Sequence, residues 1–535
     1  MGSLTITRVI GALLLAAGAL LTAHPAAADG PNGPTPPAEF TSDWHDPVTA
    51  APPVATPGTP SCEVTLATAR FRDFTPYRGD YAPPKECGTR WNKVVLRLEG
   101  TVKGRQYDRL GHLAVGGVEI LRTSTPQPSP DGIAWSVEKD VTRYRDTLSR
   151  PQPVEMLIGN VVNETYTGVI DVRVTLTFHT ARGPVKPAAG TPDRVLPLTD
   201  ATLTTPRNTE RVLAEVYATG SGGGCEEYWY LSVPDTAPYS CRAADGPHRE
   251  VRISVDGRLA GIAAPFPTVW TGGWSNPFLW YVTPGPRAFD VQPVVYDLTP
   301  FAALLNDGNA HRVEVSVAGV PSGLGGWSVP ANVLLWQDAG SRVVTGGLDR
   351  HEETAPYDSS VHTAGPTHRV DTRAHHRLTV AGHLNTSHGR VDTTVSRTVT
   401  ADLVHRWGQD ENPDALTARW TDRETVTSGR DVTRTDRSYT MDGETTIGAG
   451  DRLRTVLTLG DRADTVALRD GRRLSWSRLD DTYTGDATYT TGVPREQRHA
   501  VGTTHTRHRL YGSGGCYDRS LTTVQGTLTK DLRRC

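Results

Sequence analysis

The chain has 535 residues, a net charge of −3 and a pI near 6.6. That length exceeds what one hydrophobic core serves and predicts about three domains. The near-neutral balance offers no basic excess for phosphates, which argues against nucleic acid and anionic membranes as partners.

At the N-terminus, Arg8 precedes an apolar run from Val9 to Leu21 and the small residues Ala26, Ala27 and Ala28. This pattern reads as a secretory signal over residues 1–28, cleaved after Ala28, and it predicts a secreted, extracellular protein without a membrane anchor. Residues 29–58 are rich in Pro, Ala, Gly and Thr. They have too little apolar surface to order themselves and are expected to form a flexible leader.

Beyond the leader, alternation is nearly everywhere and helical periodicity nearly nowhere. Ile170, Val172, Val174, Leu176 and Phe178 alternate with polar residues, as in a strand with one buried face. Val251, Ile253 and Val255 do the same and run into Asp256 and Gly257, a tight-hairpin dipeptide. The expected class is all-β.

Asp140, Thr142, Tyr144 and Leu148 are echoed 157 residues later by Asp297, Thr299, Phe301 and Leu305. An alternating strand follows each set, and the hairpin around Val115 and Gly117 resembles that around Val255 and Gly257. Residues 59–185 and 199–340 are therefore read as two copies of one β-sandwich, joined by a Pro- and Gly-rich linker from Gly183 to Pro197. From 346 to 535 the composition shifts to Thr, Arg, Asp and His, which predicts a third β-rich domain of long hairpins.

Six cysteines fall into three close pairs, Cys62 with Cys87, Cys225 with Cys241 and Cys516 with Cys535. Three local disulfides are expected, one in each domain. Signatures of serine hydrolases, zincins and nucleotide-binding loops are missing, and Ala355 stands where a zincin continuing from His351 and Glu352 needs its second histidine. The adjacent His375 and His376 point to opposite faces of a strand. No metal or cofactor is expected, and the chemistry should rest on carboxylates.

Two acidic places stand out. Asp108 and Arg109 follow Tyr107 in a strand-rich run that also carries Glu119 and Arg122, and Glu226 and Glu227 follow Cys225 after three glycines. Taken alone, the first is a solvated pair or cross-strand salt bridge, and the second a polar loop pinned by a disulfide.

Several ordered runs change that balance: YDRLGHLAVGGVEILRTSTPQP from Tyr107, WSVEKDVTRY from Trp135, NVVNETYTGV from Asn160, TPRNTERVLAEVYATG from Thr205, EEYWY from Glu226, PFPTVWTGG from Pro265 and YDLTPFAALLNDG from Tyr296. They resemble the plant-type peptide:N-glycanase A family, across roughly residues 60 to 535. That family hydrolyses the amide between an Asn side chain and the first N-acetylglucosamine, releasing a glycosylamine and leaving Asp. Asp108 with Arg109, the run Asn208 to Glu210, and Cys225 to Glu227 are more distantly similar to the flavobacterial peptide:N-glycanase, two side-by-side jelly rolls with the site between them.

The resemblance implies that Asp108 is the essential aspartate, Arg109 its neighbouring arginine and Glu227 the glutamate of the second jelly roll. Near Asn160, where the flavobacterial enzyme has an accessory acid, this chain has no carboxylate. Substrate contacts are expected from Trp229, Glu226, Glu119, Arg122, Trp270 and Trp327, with Trp274 a further member of an aromatic wall. The implied substrates are N-glycosylated peptides or glycoproteins. A non-catalytic carbohydrate-binding protein is the alternative.

Overall fold

A computed structural model describes residues 35–88, 90–180, 190–221, 224–270, 276–320 and 325–535. The expected signal segment lies outside them.

The fold is all-β. The first eight strands are β1 (Ser61–Phe71), β2 (Tyr77–Tyr81), β3 (Trp91–Lys103), β4 (Leu110–Val115), β5 (Val118–Ser124), β6 (Ile133–Asp140), β7 (Gln152–Ile158) and β8 (Val169–Thr180). They form two antiparallel four-stranded sheets, ordered β1-β8-β3-β6 and β2-β7-β4-β5. Along β6 buried and more exposed residues alternate, so Ile133, Trp135 and Val137 enter the core.

The next ten are β9 (Arg194–Pro197), β10 (Thr202–Leu203), β11 (Thr209–Val216), β12 (Thr219–Gly220), β13 (Glu250–Val255), β14 (Arg258–Ala263), β15 (Val294–Asp297), β16 (His311–Ala318), β17 (Trp327–Ser328) and β18 (Ala331–Gln337). Setting aside the short β12-β17 pair, they form sheets ordered β9-β18-β11-β15 and β10-β16-β13-β14. Strand for strand, and in the same chain order, this is the arrangement of the first eight.

The echoed residues fall on equivalent elements. Asp140 and Asp297 end β6 and β15, and each accepts a 3.0 Å bond from the backbone of Thr142 or Thr299. The two threonine hydroxyls in turn accept from Val94 and Val212, in the equivalent strands β3 and β11. Hairpins β4-β5 and β13-β14 turn at Gly116-Gly117 and Asp256-Gly257, with positive φ at all four residues, as tight primed turns require.

Part of the expected linker is a strand. Arg194–Pro197 pairs with β18 at the edge of its sheet, where a proline leaves no ladder bond unmade, so the second sandwich begins before residue 199. Residues 181–189 lie outside the described residues. Between Thr345 and Arg533 an 11-stranded antiparallel sheet of long hairpins follows, joined to the second sandwich through ring contacts such as Trp229 with Trp420 and Trp280 with Tyr483. The three expected disulfides are present, with Cα separations of 5.8, 5.4 and 5.7 Å.

The leader, where described, is an ordered strap. Residues 40, 45 and 48 donate backbone bonds to Ala500, Gly526 and Val282, and Asp46 accepts one from Ala134 of the first sandwich. Trp44 is 6% exposed and stacks on Tyr281 at 3.9 Å. Composition suggested disorder because the segment has no core of its own. It borrows one from its neighbours.

Candidate functional site

Asp108 lies on the connection from β3 to β4, two residues before the strand that its sequence context suggested. Glu227 lies on the connection from β11 to β13, in a 3₁₀ segment Cys225–Leu231 closed at its start by the Cys225 to Cys241 bridge. Because β3 is equivalent to β11 and β4 to β13, the two carboxylates occupy the same connection of two copies of one fold.

The chain brings them together. Burial raises the pKa of Asp108 well above the ordinary carboxylate range, and the negative charge of Glu227 raises it further; the backbone N–H, Arg109 and a hydrogen bond from Gln127 act in the opposite direction. Tyr228 shares a hydrogen bond with Glu227, and its phenol pKa is raised by burial and then by the charges around it, Glu227 first and Asp108 among them. Arg109 sits between polar groups, its Nη2 donating to Gln106 at 2.5 Å, and burial lowers its pKa against the pull of Asp108.

Glu226 points the other way. It is 4% exposed and takes both arms of Arg249, at 2.9 and 2.6 Å, plus the indole N–H of Trp327 at 2.6 Å. Gly220 of β12 lies so close to this turn that a Cβ there would meet the Glu226 carbonyl at 2.2 Å, which fixes glycine at that position. A buried ion pair therefore anchors one residue of the turn, while the charge of its neighbour Glu227 is felt at Asp108.

Most of the expected substrate contacts turn out to be structural. Glu226 is consumed by Arg249, and Trp327, half-buried, is committed to Glu226. Trp229 is 2% exposed, packed among Tyr230, Trp327 and Trp420, and Trp270 is buried against Tyr217 and Val291. Both are core, as large aromatics in sandwiches usually are. Trp274 lies outside the described residues.

Glu119 and Arg122 are also buried, because every residue of β5 is covered. They pair at 2.7 Å, and Arg122 reaches across to the Tyr217 carbonyl, the Thr219 hydroxyl and Ser328 of the second sandwich. They tie the sandwiches together and do not present themselves to a ligand. Asn160 is fully buried too, its amide donating to Phe71 and Gly168.

Sequence reasoning missed Gln127 and Tyr228, which touch the two carboxylates, and the paired rings of exposed Tyr107 and half-buried Tyr166. Tyr107, adjacent to Asp108, and Tyr228, adjacent to Glu227, carried a visible signal. The Asn208 to Glu210 run lies at the seam with the C-terminal sheet, where Glu210, Asp338 and His388 bring ligand-type atoms within 4.8 Å of one another; Asp338 there already accepts bonds from Gly340 and Ser387. A cavity of about 1150 Å³ lies between the strap, both sandwiches and the C-terminal sheet, and neither Asp108 nor Glu227 lines it. No helix among the described residues is long and apolar enough to cross a membrane.

The fold is an all-β one in which two equivalent pairs of antiparallel sheets each carry one of two acidic residues, Asp108 and Glu227, that feel each other's charge. Residues 47–354, more than half of the chain, match the family model described as Peptide N-acetyl-beta-D-glucosaminyl asparaginase amidase A, and the chain belongs to that family. It is 30% identical over 381 residues to the Peptide-N4-(N-acetyl-beta-glucosaminyl)asparagine amidase A of Prunus dulcis, an alignment covering 64% of this chain and 66% of that relative, just under two thirds of its length. Among solved structures it is similar to PNGF-II in its P21 and C2 space groups, at 15% identity with TM-scores of 0.35 and 0.36, covering 52% of this chain and 66% and 65% of those chains.

Proposed function

We propose that this chain is an amidase that hydrolyses the Asn side-chain amide to the first N-acetylglucosamine of N-glycosylated peptides or glycoproteins, with Asp108, Glu227 and Arg109 as its catalytic residues. What supports the proposal is membership of the amidase A family together with the placement of Asp108 and Glu227 on equivalent connections of the two pairs of sheets, within range of each other's charge.

An amide is resonance-stabilised, so its hydrolysis without a nucleophile or metal needs a positioned water, a base to activate it and an acid for the departing nitrogen. Two carboxyls in each other's field share that labour because they resist losing both protons. The ionised member takes a proton from water as its oxygen bonds to the Asn side-chain carbon. The protonated member delivers its proton to the nitrogen as the C–N bond breaks, giving a glycosylamine and a new Asp. Arg109 holds the charge balance, and Tyr228 and Gln127 orient the two carboxyls.

We also propose secretion, consistent with three disulfides and the leading apolar segment. The division into two sandwiches and a C-terminal β-rich domain, with the site between the first two, is part of the same proposal. Mass spectrometry of a defined glycopeptide after incubation tests the activity: free glycan together with Asp in place of the sequon Asn is expected. An intact glycopeptide that is retained by the protein would instead favour a carbohydrate-binding role.

A further inference from the structure

The cavity of about 1150 Å³ where the strap, both sandwiches and the C-terminal sheet meet is somewhat larger than an ordinary small-molecule pocket of about 300–1,000 Å³. One of its walls is a single line of side chains. Tyr439, Asp461, Asp481, His508, Arg519 and Arg533 are partners in register on six successive strands of the C-terminal sheet, and all six line the cavity. Partners in register share a face, so the six stand abreast.

Within that line two carboxyls are neighbours, Asp461 and Asp481, and like charges placed directly opposite repel. Arg287 reaches over from the second sandwich and donates to Asp461 Oδ2 at 2.6 Å, while His508 Nδ1 stands 3.2 Å from Asp481. Burial raises the Asp481 pKa; His508 and Arg287 act against that rise and Asp461 adds to it. Asp461 is 2% exposed, yet its Oδ1 has no hydrogen-bond partner among the described residues. Thr506, two residues before His508 and therefore on the same face, buries a hydroxyl that also has none. Buried polar atoms are normally satisfied, so both call for a partner from outside the chain.

The lining restricts what that partner is. Eight carboxylates face seven cationic side chains, Lys139 and six arginines, a balance that suits neither a polyanion nor a polycation. Beside the unpaired oxygen, Arg287 and His508 already offset the two aspartates, so the need is for a neutral donor. A peptide adding as a strand finds no free backbone here, because five of the six strands are paired on both sides within the sheet. Sugar hydroxyls meet these requirements: each donates and accepts, and a chain of rings carries many of them. Asp481, with 19% of its side chain open, gives such a ligand a first contact.

The wall is also fixed in advance. Arg519 donates to Asp531 at 2.9 and 2.8 Å and to the strap carbonyl of Thr49 at 3.1 Å, and the Arg287 guanidinium lies over the rings of Phe266 and Tyr439.

We propose that this cavity is a second binding site, for a neutral oligosaccharide, separate from Asp108 and Glu227, with Asp461, Asp481 and Thr506 taking the sugar hydroxyls. The site does not rest on the amidase reading.

The test is calorimetric titration of a free, neutral high-mannose oligosaccharide into wild type, Asp481→Asn and Thr506→Val, with melting curves to confirm that each variant is folded. Both variants should raise Kd about ten-fold, with kcat and KM for glycopeptide as in wild type. A Kd unchanged in both variants overturns the site. So does a sulfated oligosaccharide or an oligolysine that binds wild type more tightly than the neutral sugar and weakens in the same variants. Because the titration reads binding alone, the two readings fail separately. If wild type releases no glycan, the amidase reading falls while a raised Kd in both variants still supports the cavity site; an active enzyme whose Kd ignores both substitutions rejects the cavity site and leaves the amidase reading standing.

Discussion

Asp108 and Glu227 stand in the same connection of two copies of one fold, and each lies in the other's field. A repeated sandwich that turns its two copies toward one another brings equivalent loops face to face. A pair of like charges then arises from duplication with no new element needed.

The raised pKa of Asp108 has a stability consequence. A carboxyl whose folded pKa exceeds its unfolded value binds its proton more tightly when folded, so stability is lost as pH rises from the unfolded value, about 3.9, through the folded one. Asp108→Asn should therefore melt at a higher temperature than wild type at neutral pH, with the gap closing below about pH 4. The same variant should lose glycan release by a factor on the order of 100 or more. Melting curves across pH, with glycopeptide mass spectrometry, check both halves; full activity in the variant would remove Asp108 from the chemistry.

Arg249 bears on whether Glu226 is a substrate contact or a support. With Glu226 and Arg249 both buried, Arg249→Ala leaves an uncompensated charge and should cost about 3–5 kcal/mol. Glu226→Gln should likewise lower stability while leaving KM unchanged at a temperature where the variant stays folded. Urea denaturation gives the first quantity and steady-state kinetics the second. A raised KM in folded Glu226→Gln would return Glu226 to the substrate.

Arg122 makes the corresponding case between sandwiches. Its guanidinium serves Glu119, Tyr217, Thr219 and Ser328 at once, so Arg122→Ala should destabilise by about 3–5 kcal/mol and loosen the docking of the two sandwiches. Limited proteolysis of the variant should accelerate relative to wild type. A variant as stable as wild type, with only KM raised, would restore the sugar-contact role expected from the sequence.

What was legible in the sequence follows from where the physics is local. Alternation and the Asp140/Asp297 echo are properties of neighbouring residues, and they carried the strand class and the repeat. Close cysteine spacing did the same for the disulfides. The roles of Glu119, Arg122 and Glu226 depend on which partner a long-range fold supplies, and β5 looks like an exposed strand until a second sandwich covers it. For the same reason Trp229, two residues after Glu227, looked like a sugar wall: near neighbours on a turn take different surroundings, and Trp229 packs inward among Tyr230, Trp327 and Trp420. Asp108 and Glu227 came from family resemblance, since nothing local separates them from ordinary surface acids.

The strap was misjudged because composition reports only whether a segment can order itself. Trp44 is its anchor, stacked on Tyr281 with the Arg495 guanidinium 4.9 Å over its ring. Around it the strap touches the first sandwich through Asp46, the second through Val48 and the C-terminal sheet through His45. Trp44→Ala removes a buried indole at a three-way junction and should cost about 3–5 kcal/mol. If the strap holds the three units in register, the loss should appear as a lower urea midpoint together with faster proteolysis at the seams. Because the candidate site needs both sandwiches in place, glycan release should fall at elevated temperature before the protein as a whole unfolds. A variant with unchanged midpoint and proteolysis would show that the strap merely lies on a framework assembled without it.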